Sequence, residues 1–198
     1  MKLPVRSAEW ALMRKAVPES ALVANRVLPA VSRAAEGGVL WAAVGAGLAA
    51  VGGERGRRAA FEGALAVAAA SGATNGPLKH LIGRHRPGTG VGRFVIRELG
   101  QAPRTPSMPS SHSAVAAAFA TATGLALPAS AAPLGAAAAV VAWSRVTAGR
   151  HYPSDVVAGV AFGCALGAAV HVVARRLRPS VEAWTPTQVR SEPSPSSP

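Results

Sequence analysis

The sequence predicts an all-α protein, a polytopic transmembrane bundle of about five helices. The 198-residue chain combines a mean hydropathy of +0.26 with a formal net charge of +12, so its apolar and basic residues must occupy different segments. Its apolar content comes mainly from Ala, Val, Leu and Gly, which suit close helix packing in lipid. Four stretches contain no Asp, Glu, Lys or Arg, namely residues 37–53, 63–78, 113–144 and 156–174.

These uncharged stretches predict the spans in chain order. Most of them are near the ~20 residues that cross a bilayer, but residues 113–144 are too many for one ordinary span. Pro128 and Pro133, with Ser130 between them, predict a tight helical hairpin with arms at about 111–127 and 134–147. The five predicted spans are residues 38–53, 61–79, 111–127, 133–148 and 155–175.

The predicted hairpin has a consequence for chemistry. It brings the segment before it, Lys79 to His112, and the segment after it, Arg145 to Asp155, to the same membrane face. Residues that are distant in sequence can therefore share one pocket.

The two ends of the chain differ from the bundle. Residues 1–36 predict one or two amphipathic lead-in helices, broken near Pro18 and Pro29, and lack the uninterrupted apolar core of a cleaved signal peptide. Residues 37–178 form the predicted transmembrane domain. The Pro- and Ser-rich residues 179–198 are predicted to be a disordered tail.

The composition limits the partners and the metal chemistry. Cys164 is the only cysteine, which excludes an internal disulfide and a Cys-rich zinc or iron–sulfur site. A net charge of +12 raises nucleic acid as a partner. However, aromatic residues that could stack on bases make up only 5% of the chain, and the basic residues flank apolar stretches, as they do beside membranes. The predicted partner is a membrane and not a nucleic acid.

The first motif is Lys79, six intervening residues, and then Arg86-Pro87. If the second span continues as a helix, seven residues advance it by about 700°, which leaves Lys79 and Arg86 on one face. A bidentate guanidinium and an ammonium point charge would together suit a phosphate group. The alternative is a solvated basic loop that binds anionic headgroups or sets the topology.

The second motif is Pro109-Ser110-Ser111-His112, at the start of the third span. Serines at a helix start cap it, and the exposed backbone N–H groups with the helix dipole form an anion site. A histidine beside such a site can donate a proton to a leaving oxygen. The alternative is an ordinary helix cap beside an interfacial histidine.

The third motif is Ser144-Arg145, five residues, His151, three residues, and Asp155. Pro153 and Ser154 predict a helix start, so the Asp155 carboxylate could accept a hydrogen bond from the imidazole. That bond would fix the tautomer and leave the other ring nitrogen free as a nucleophile. The alternative is that His151 and Asp155 only satisfy each other's hydrogen-bonding groups at the boundary of a span and have no catalytic role.

Together and in this order, the three motifs resemble those of the type 2 phosphatidic acid phosphatase family, which shares its active-site pattern with vanadium haloperoxidases. The resemblance covers about residues 61–175, and the spacings of the first and third motifs match without a gap. Ser111 departs from the pattern, because the family usually has Gly there, but its backbone N–H is still available. The resemblance implies the helical fold of this family and of the haloperoxidases.

The resemblance also implies a metal-independent lipid phosphatase that forms a phosphohistidine. His151 would attack phosphorus, Asp155 would orient His151, and His112 would protonate the departing lipid oxygen. No cofactor or metal ion is implied. The phosphate would be held by Lys79, Arg86, Ser110, the backbone N–H of Ser111, and Arg145.

Other functions stay open at this stage. A vanadate-dependent haloperoxidase would use the same pocket, although the proteins of that class are typically soluble. A lipid-phosphate binding or transport protein would keep the pocket without catalysis. A zinc site built from His80, His85, His112 and His151 lacks a compact ligand spacing, and His171, in the last span, is expected to be packed or paired with a polar group.

The motifs do not identify the lipid. The family acts on phosphatidic acid, phosphatidylglycerol phosphate, polyprenyl diphosphates and polyprenyl-linked sugar phosphates. The motif-bearing face carries 14 of the 21 Lys and Arg residues, so the positive-inside rule predicts a cytoplasmic active site in the plasma membrane. This favours a substrate made at the inner leaflet, such as a polyprenyl-linked sugar phosphate. The membrane face of the active site, the choice between monophosphate and diphosphate, and the oligomeric state stay open.

Overall fold

A computed structural model describes residues 7–16, 26–87 and 105–182, and the regular structure within these ranges is helical throughout. Short helical turns at Glu36–Gly38, Thr74–Leu78 and Pro128–Ser130 join the longer elements. The helices are α1 Ser7–Ala16, α2 Leu28–Ala34, α3 Val39–Val51, α4 Gly53–Ala73, α5 Lys79–Ile82, α6 Ser111–Ala126, α7 Ala131–Thr147 and α8 Pro153–Glu182.

Helix α6 lies at the centre of the bundle and packs against α4, α7 and α8. Its contact with α8 is close because Gly159, Gly163 and Gly167 recur every four residues along α8, on the face that meets α6. A Cβ atom added at Gly159 would lie 2.5 Å from the Ser110 carbonyl oxygen, and one at Gly167 would lie 2.5 Å from that of Ala118. Small residues therefore let the two backbones touch.

The core between α3, α4, α6 and α7 is built mostly from small side chains. Its two large members are Trp41 and Phe119, whose ring centroids lie 5.1 Å apart. The remaining buried members are alanines with Val115, Leu134 and Val141. This composition matches the predicted preference for close helix contacts over bulky packing.

The predicted hairpin is present, with a shifted boundary. Helix α6 ends at Ala126, a single turn spans Pro128–Ser130, and α7 begins at Ala131. Pro133 was expected to lie before the second arm, but it lies in the first turn of α7. A proline is tolerated there because the N–H groups of a first turn have no partner within the helix.

The other predicted spans coincide with helices α3, α4 and α8, again with different boundaries. Helix α4 begins at Gly53, well before the predicted start at residue 61, because Gly53 (φ 59°) turns the chain and the charged residues after it form exposed helical turns. By length and apolarity, two of the described helical segments could cross a membrane, Pro128–Thr147 and Pro153–Leu177. The count of five spans stays a prediction.

The terminal segments match the prediction in part. Helices α1 and α2 lie within the predicted lead-in, and Pro29 lies in the first turn of α2 instead of breaking a helix. Pro18 lies outside the described residues. Helix α8 continues to Glu182, past the predicted boundary at residue 178, and residues 183–198 of the predicted tail are also outside the described ranges.

The close contact of α6 and α8 can be tested at Gly163. A methyl group there would collide with the carbonyl oxygen of Ala114, and overpacking of this kind costs about 1–3 kcal/mol. We therefore expect Gly163→Ala to lower the midpoint of thermal unfolding in detergent. In Gly72→Ala, the matched control, the new methyl has no described atom within 4 Å. Equal midpoints for the two variants would contradict the close contact.

Candidate active site

The three sequence motifs meet at one cavity of about 600 Å³. Its wall combines the end of α4, the start of α6, the end of α7 and the segment before α8. The hairpin thus brings the distant motifs together as predicted. Six of the eight predicted site residues line the cavity: Lys79, Arg86, Ser111, His112, Arg145 and His151.

The first motif reaches the cavity by a different route from the predicted one. Helix α5 ends at Ile82, and Gly83 caps it in the left-handed conformation (φ 61°), which glycine adopts at little cost. Arg86 therefore lies beyond the helix, and the predicted common helical face with Lys79 is wrong. The Arg86 side chain is held by hydrogen bonds of 2.9 Å to the carbonyl oxygens of Thr105 and Arg150.

A polar residue that the sequence did not single out connects the first two motifs. The Oδ1 atom of Asn75 accepts a hydrogen bond of 2.9 Å from Ser111 Oγ and one of 3.4 Å from Lys79 Nζ. Asn75 and Lys79 are four residues apart, which is the spacing of neighbours on a helix surface. That spacing is the signal by which Asn75 could have been found.

Ser110 lies behind the cavity wall. Its side chain is fully buried and caps α6, accepting hydrogen bonds of 3.4 Å from Ser113 N–H and 2.9 Å from Ser113 Oγ. Its own N–H donates to the carbonyl oxygen of Asp155 at 3.0 Å. The role of Ser110 as a direct phosphate ligand stays a prediction, and its observed contacts tie the start of α6 to the start of α8.

His151 and Asp155 are adjacent, as predicted, but they are not hydrogen bonded. Nδ1 of His151 lies 3.7 Å from Oδ2 of Asp155, which exceeds hydrogen-bond length, and it has no hydrogen-bond partner among the described residues. Nε2 of the same ring lies 3.1 Å from Nη1 of Arg86, a group that can only donate. The ring therefore accepts at Nε2 and carries its proton on Nδ1, towards the carboxylate.

The surroundings of His151 keep its ring neutral. Burial lowers the pKa of His151 to about 4, and the positive charges of Arg86 and Lys79 act in the same direction. The Asp155 carboxylate raises the pKa and offsets part of this effect. At neutral pH the ring is uncharged, so the Nε2 lone pair is available for nucleophilic attack.

Arg145 is positioned by α7 and by the N-terminal segment. Its guanidinium is buried, and it donates to Ser144 Oγ at 3.2 Å from Nε and at 3.1 Å from Nη2. Nη2 also donates to the hydroxyl of Ser32, a residue of α2 that the sequence did not indicate. Lys79, Arg86, Arg145 and Arg150 line the cavity, while Glu36 is the one acidic residue among its described lining. The cavity therefore favours an anion.

The remaining histidines have other surroundings. Nδ1 of His171 lies 2.7 Å from Oε2 of Glu62, so it is paired with a polar group, as predicted. His80 is exposed. Within residues 7–16, 26–87 and 105–182, no three His, Cys, Asp or Glu side chains are close enough to share a metal ion.

Comparison with known sequences gives a family match and two informative relatives. Residues 63–179 match the model of the PAP2 superfamily. Lipid A 1-phosphatase from Rhizobium etli is 40% identical over 88 residues, which cover 43% of this chain and 38% of that protein. Decaprenylphosphoryl-5-phosphoribose phosphatase from Mycobacterium tuberculosis is 38% identical over 100 residues, which cover 48% of this chain and 51% of that protein. The chain thus matches about half or less of the length of these curated relatives.

Comparison with solved structures addresses the fold. The crystal structure of a transmembrane PAP2 type phosphatidylglycerolphosphate phosphatase from Bacillus subtilis is similar, with a TM-score of 0.65 over 86% of each chain. The two sequences are 24% identical. The likeness confirms the predicted all-α fold.

Proposed function

The chain belongs to the PAP2 superfamily, which its residues 63–179 match, and on this premise we propose that it is an integral membrane lipid phosphatase that works through a phosphohistidine. One observation carries the proposal: the neutral ring of His151 shares a cavity with Lys79, Arg86 and Arg145. A nucleophile and three cationic groups that can hold phosphoryl oxygens are therefore within reach of one substrate.

In the first step, the Nε2 lone pair of His151 attacks phosphorus while the bond from phosphorus to the lipid oxygen breaks. His112, which lines the same cavity, acts in its protonated form, which the negative charge of the bound phosphate favours, and gives its proton to that oxygen. The lipid leaves as an alcohol, or as a monophosphate if the substrate is a diphosphate. The Asp155 carboxylate stabilises the positive charge that develops on the ring.

The cationic side chains stabilise the transition state of this step. Arg86 donates to Nε2 of His151 at 3.1 Å, and attack requires that this hydrogen bond be exchanged for one to a phosphoryl oxygen. Arg145 and Lys79 hold the other oxygens, with the backbone N–H of Ser111 at the start of α6. Donors fixed in advance, as Arg145 is by Ser144 and Ser32, need little reorganisation as charge moves.

In the second step, water replaces the histidine. His112 takes a proton from the water molecule, the hydroxide attacks phosphorus, and the bond between phosphorus and Nε2 breaks. Inorganic phosphate leaves, His151 is neutral again, and His112 has regained the proton that it gave to the lipid. Protons and bonds balance over the two steps without a further reactant.

A lipid-linked sugar phosphate is the substrate class that we propose. The positive-inside count favours a substrate made at the inner leaflet, and the relative from M. tuberculosis is named for a phosphatase of a decaprenyl-linked phosphoribose. The same proposal places the chain in the plasma membrane with its active site on the cytoplasmic side and assigns residues 37–178 to the phosphatase domain.

Phosphate release by the purified full chain tests the function. We expect release from at least one member of a panel of lipid phosphates, diphosphates and lipid-linked sugar phosphates in detergent, with inhibition by orthovanadate and without an effect of EDTA. His151→Ala should reduce release to background, because the nucleophile is lost. His80→Ala, the control at an exposed histidine, should keep full activity. Equal activity of His151→Ala and the wild type would refute the mechanism.

Arg145→Ala tests the electrostatic part of the mechanism. Loss of one fixed donor to a transition state costs about 2.7–4 kcal/mol, so we expect kcat to fall by two or more decades. Arg175→Ala, at an exposed position of α8, is the control for removal of an arginine. Thermal unfolding of both variants checks that they are folded, and normal turnover in a folded Arg145→Ala protein would exclude this role.

The pH dependence follows from the protonation state of His151. Attack needs the neutral His151 ring, so on the acid side activity is lost as the pH falls through the pKa of His151, about 4, while the need for a protonated His112 sets a separate alkaline limb. The measurement is kcat/KM as a function of pH, corrected for the ionisation of the substrate phosphate, which is determined separately by phosphorus NMR. An acid limb near the ordinary histidine pKa of about 6.5 would contradict the observed surroundings of the ring.

A further inference from the structure

A buried ion network lies behind the candidate nucleophile, on the side away from the cavity. Arg84 is 4% exposed and Asp155 is fully buried. Nη1 of Arg84 donates to Oδ1 of Asp155 at 2.7 Å, and its Nη2 donates to Oε2 of Glu9 at 2.8 Å. One guanidinium therefore bridges a carboxylate of α8 and a carboxylate of α1. Neither Glu9 nor Arg84 lines the cavity.

The network fixes the orientation of the Asp155 carboxylate. Oδ1 is occupied by Arg84, and Oδ2 accepts a hydrogen bond of 2.9 Å from the Tyr152 N–H. With both oxygens engaged, the carboxylate plane cannot rotate freely, and Oδ2 is held towards Nδ1 of His151 at 3.7 Å. The Arg84 guanidinium also lies 4.3 Å from the centroid of the Tyr152 ring, which restricts its own movement.

Glu9 is brought to the network by the packing of α1. Met13, one turn further along α1, is fully buried against α7 and α8, where its cluster includes Val146 and Val156. Trp10 meets the Tyr152 ring edge to face, with centroids 6.0 Å apart. The apolar side of α1 is therefore anchored in the bundle, and Glu9 lies at the edge of that contact.

Glu9 also holds the start of α8. Its Oε1 accepts hydrogen bonds from Ser154 Oγ at 2.5 Å and from Ser154 N–H at 3.3 Å. Burial acts to raise the pKa of Glu9, but the hydrogen bonds from Ser154 and the charge of Arg84 outweigh it and lower the pKa. A carboxylate at the first turn of α8 is favoured by the helix dipole, so Glu9 remains ionised where it can bind Arg84.

We propose that Glu9 and Arg84 are positioning residues for the His151–Asp155 pair, and that α1 is part of the catalytic unit although it lies outside the matched residues 63–179. This inference rests on the proposed function, because it assigns a role in the same reaction. Arg84 acts through Asp155, and Glu9 acts through Arg84 and Ser154.

Arg84→Met is the first test. A nucleophile misplaced by about 1 Å can cost about 10²-fold in rate, so we expect kcat to fall 10- to 100-fold while KM changes less than about twofold, because Arg84 does not line the cavity. The acid limb of the pH profile should also move to higher pH, because a carboxylate without its guanidinium partner favours the protonated ring. The charged and titratable groups around His151 and Asp155 stay unchanged in this variant, namely Glu9, Glu36, Lys79, Arg86, His112, Arg145, Arg150, Tyr152 and Asp155.

Further variants separate positioning from a loss of folding. Arg84→Lys keeps the charge but cannot bridge two carboxylates as a guanidinium does. Compared with Arg84→Met, it should therefore return the acid limb to its wild-type position but recover only part of the lost kcat. Arg14→Met, at an exposed arginine of α1, is the matched control and should behave as the wild type. A folded Arg84→Met protein with an unchanged kcat and an unchanged pH profile would overturn the role of Arg84.

Glu9→Gln gives an independent test if Arg84→Met does not fold. The amide keeps the shape and removes the charge that holds Nη2 of Arg84, so we expect kcat to fall several-fold with little change in KM. Glu54→Gln, at an exposed position of α4, is the control. The double variant of Glu9→Gln and Arg84→Met should be little slower than Arg84→Met alone, since the effects of substitutions at two interacting residues do not add. Full activity of folded Glu9→Gln, or additive losses, would overturn its action through Arg84.

Binding of orthovanadate, measured by calorimetry on each full-length variant, distinguishes the two proposals. If the wild type and His151→Ala release no phosphate but the wild type binds vanadate, the proposed function fails. In that case weaker vanadate binding in Arg84→Met and Glu9→Gln, with normal binding in Arg14→Met and Glu54→Gln, still supports the positioning role. Vanadate binding that is unchanged in both positioning variants overturns that role alone, and no vanadate binding in the wild type overturns both proposals.

Discussion

The contact between the starts of α6 and α8 is the constraint on which the site depends. The Ser110 N–H donates to the Asp155 carbonyl oxygen at 3.0 Å, and the backbone of α6 lies against the glycines of α8. His112 follows Ser110 in α6, and His151 precedes α8. The contact therefore sets the separation of the backbone segments that carry the candidate proton donor and the candidate nucleophile. Larger residues at these glycines would collide with the backbone of α6.

A second constraint is electrostatic. Four cationic side chains line one cavity with a single acidic residue among the described lining, and such an arrangement disfavours the compact state unless other contacts compensate. Hydrogen bonds supply part of this compensation: Arg145 is held by two hydroxyls and Arg86 by two carbonyl oxygens. Behind the cavity, Arg84 pairs with Asp155. The positive potential is thereby kept for a phosphoryl group, while the carboxylate that supports His151 stays ionised.

The sequence predicted the parts of this arrangement that have a local or periodic signal. Pro128 located the hairpin, and the spacing within each motif located six of the cavity residues. It could not show that Gly83 would end α5 in the left-handed conformation, because glycine is also tolerated within a helix. Glu9 and Arg84 have no signal of this kind: they are 75 positions apart, and the packing of α1 through Met13 and Trp10 brings them together.

The prediction that the helix continues to Arg86 is wrong, and the actual end of α5 explains how Arg84 and Arg86 contact the His151–Asp155 pair from two sides. Residues two positions apart on a helix point about 200° from each other, so a helix continuing through this segment would turn one guanidinium away. Gly83 ends the helix one residue before Arg84. The segment that follows lets Arg84 reach Asp155 at 2.7 Å and Arg86 reach Nε2 of His151 at 3.1 Å. The His151–Asp155 pair is thus held at both ends by one short piece of chain, and a glycine that ends a helix makes this possible.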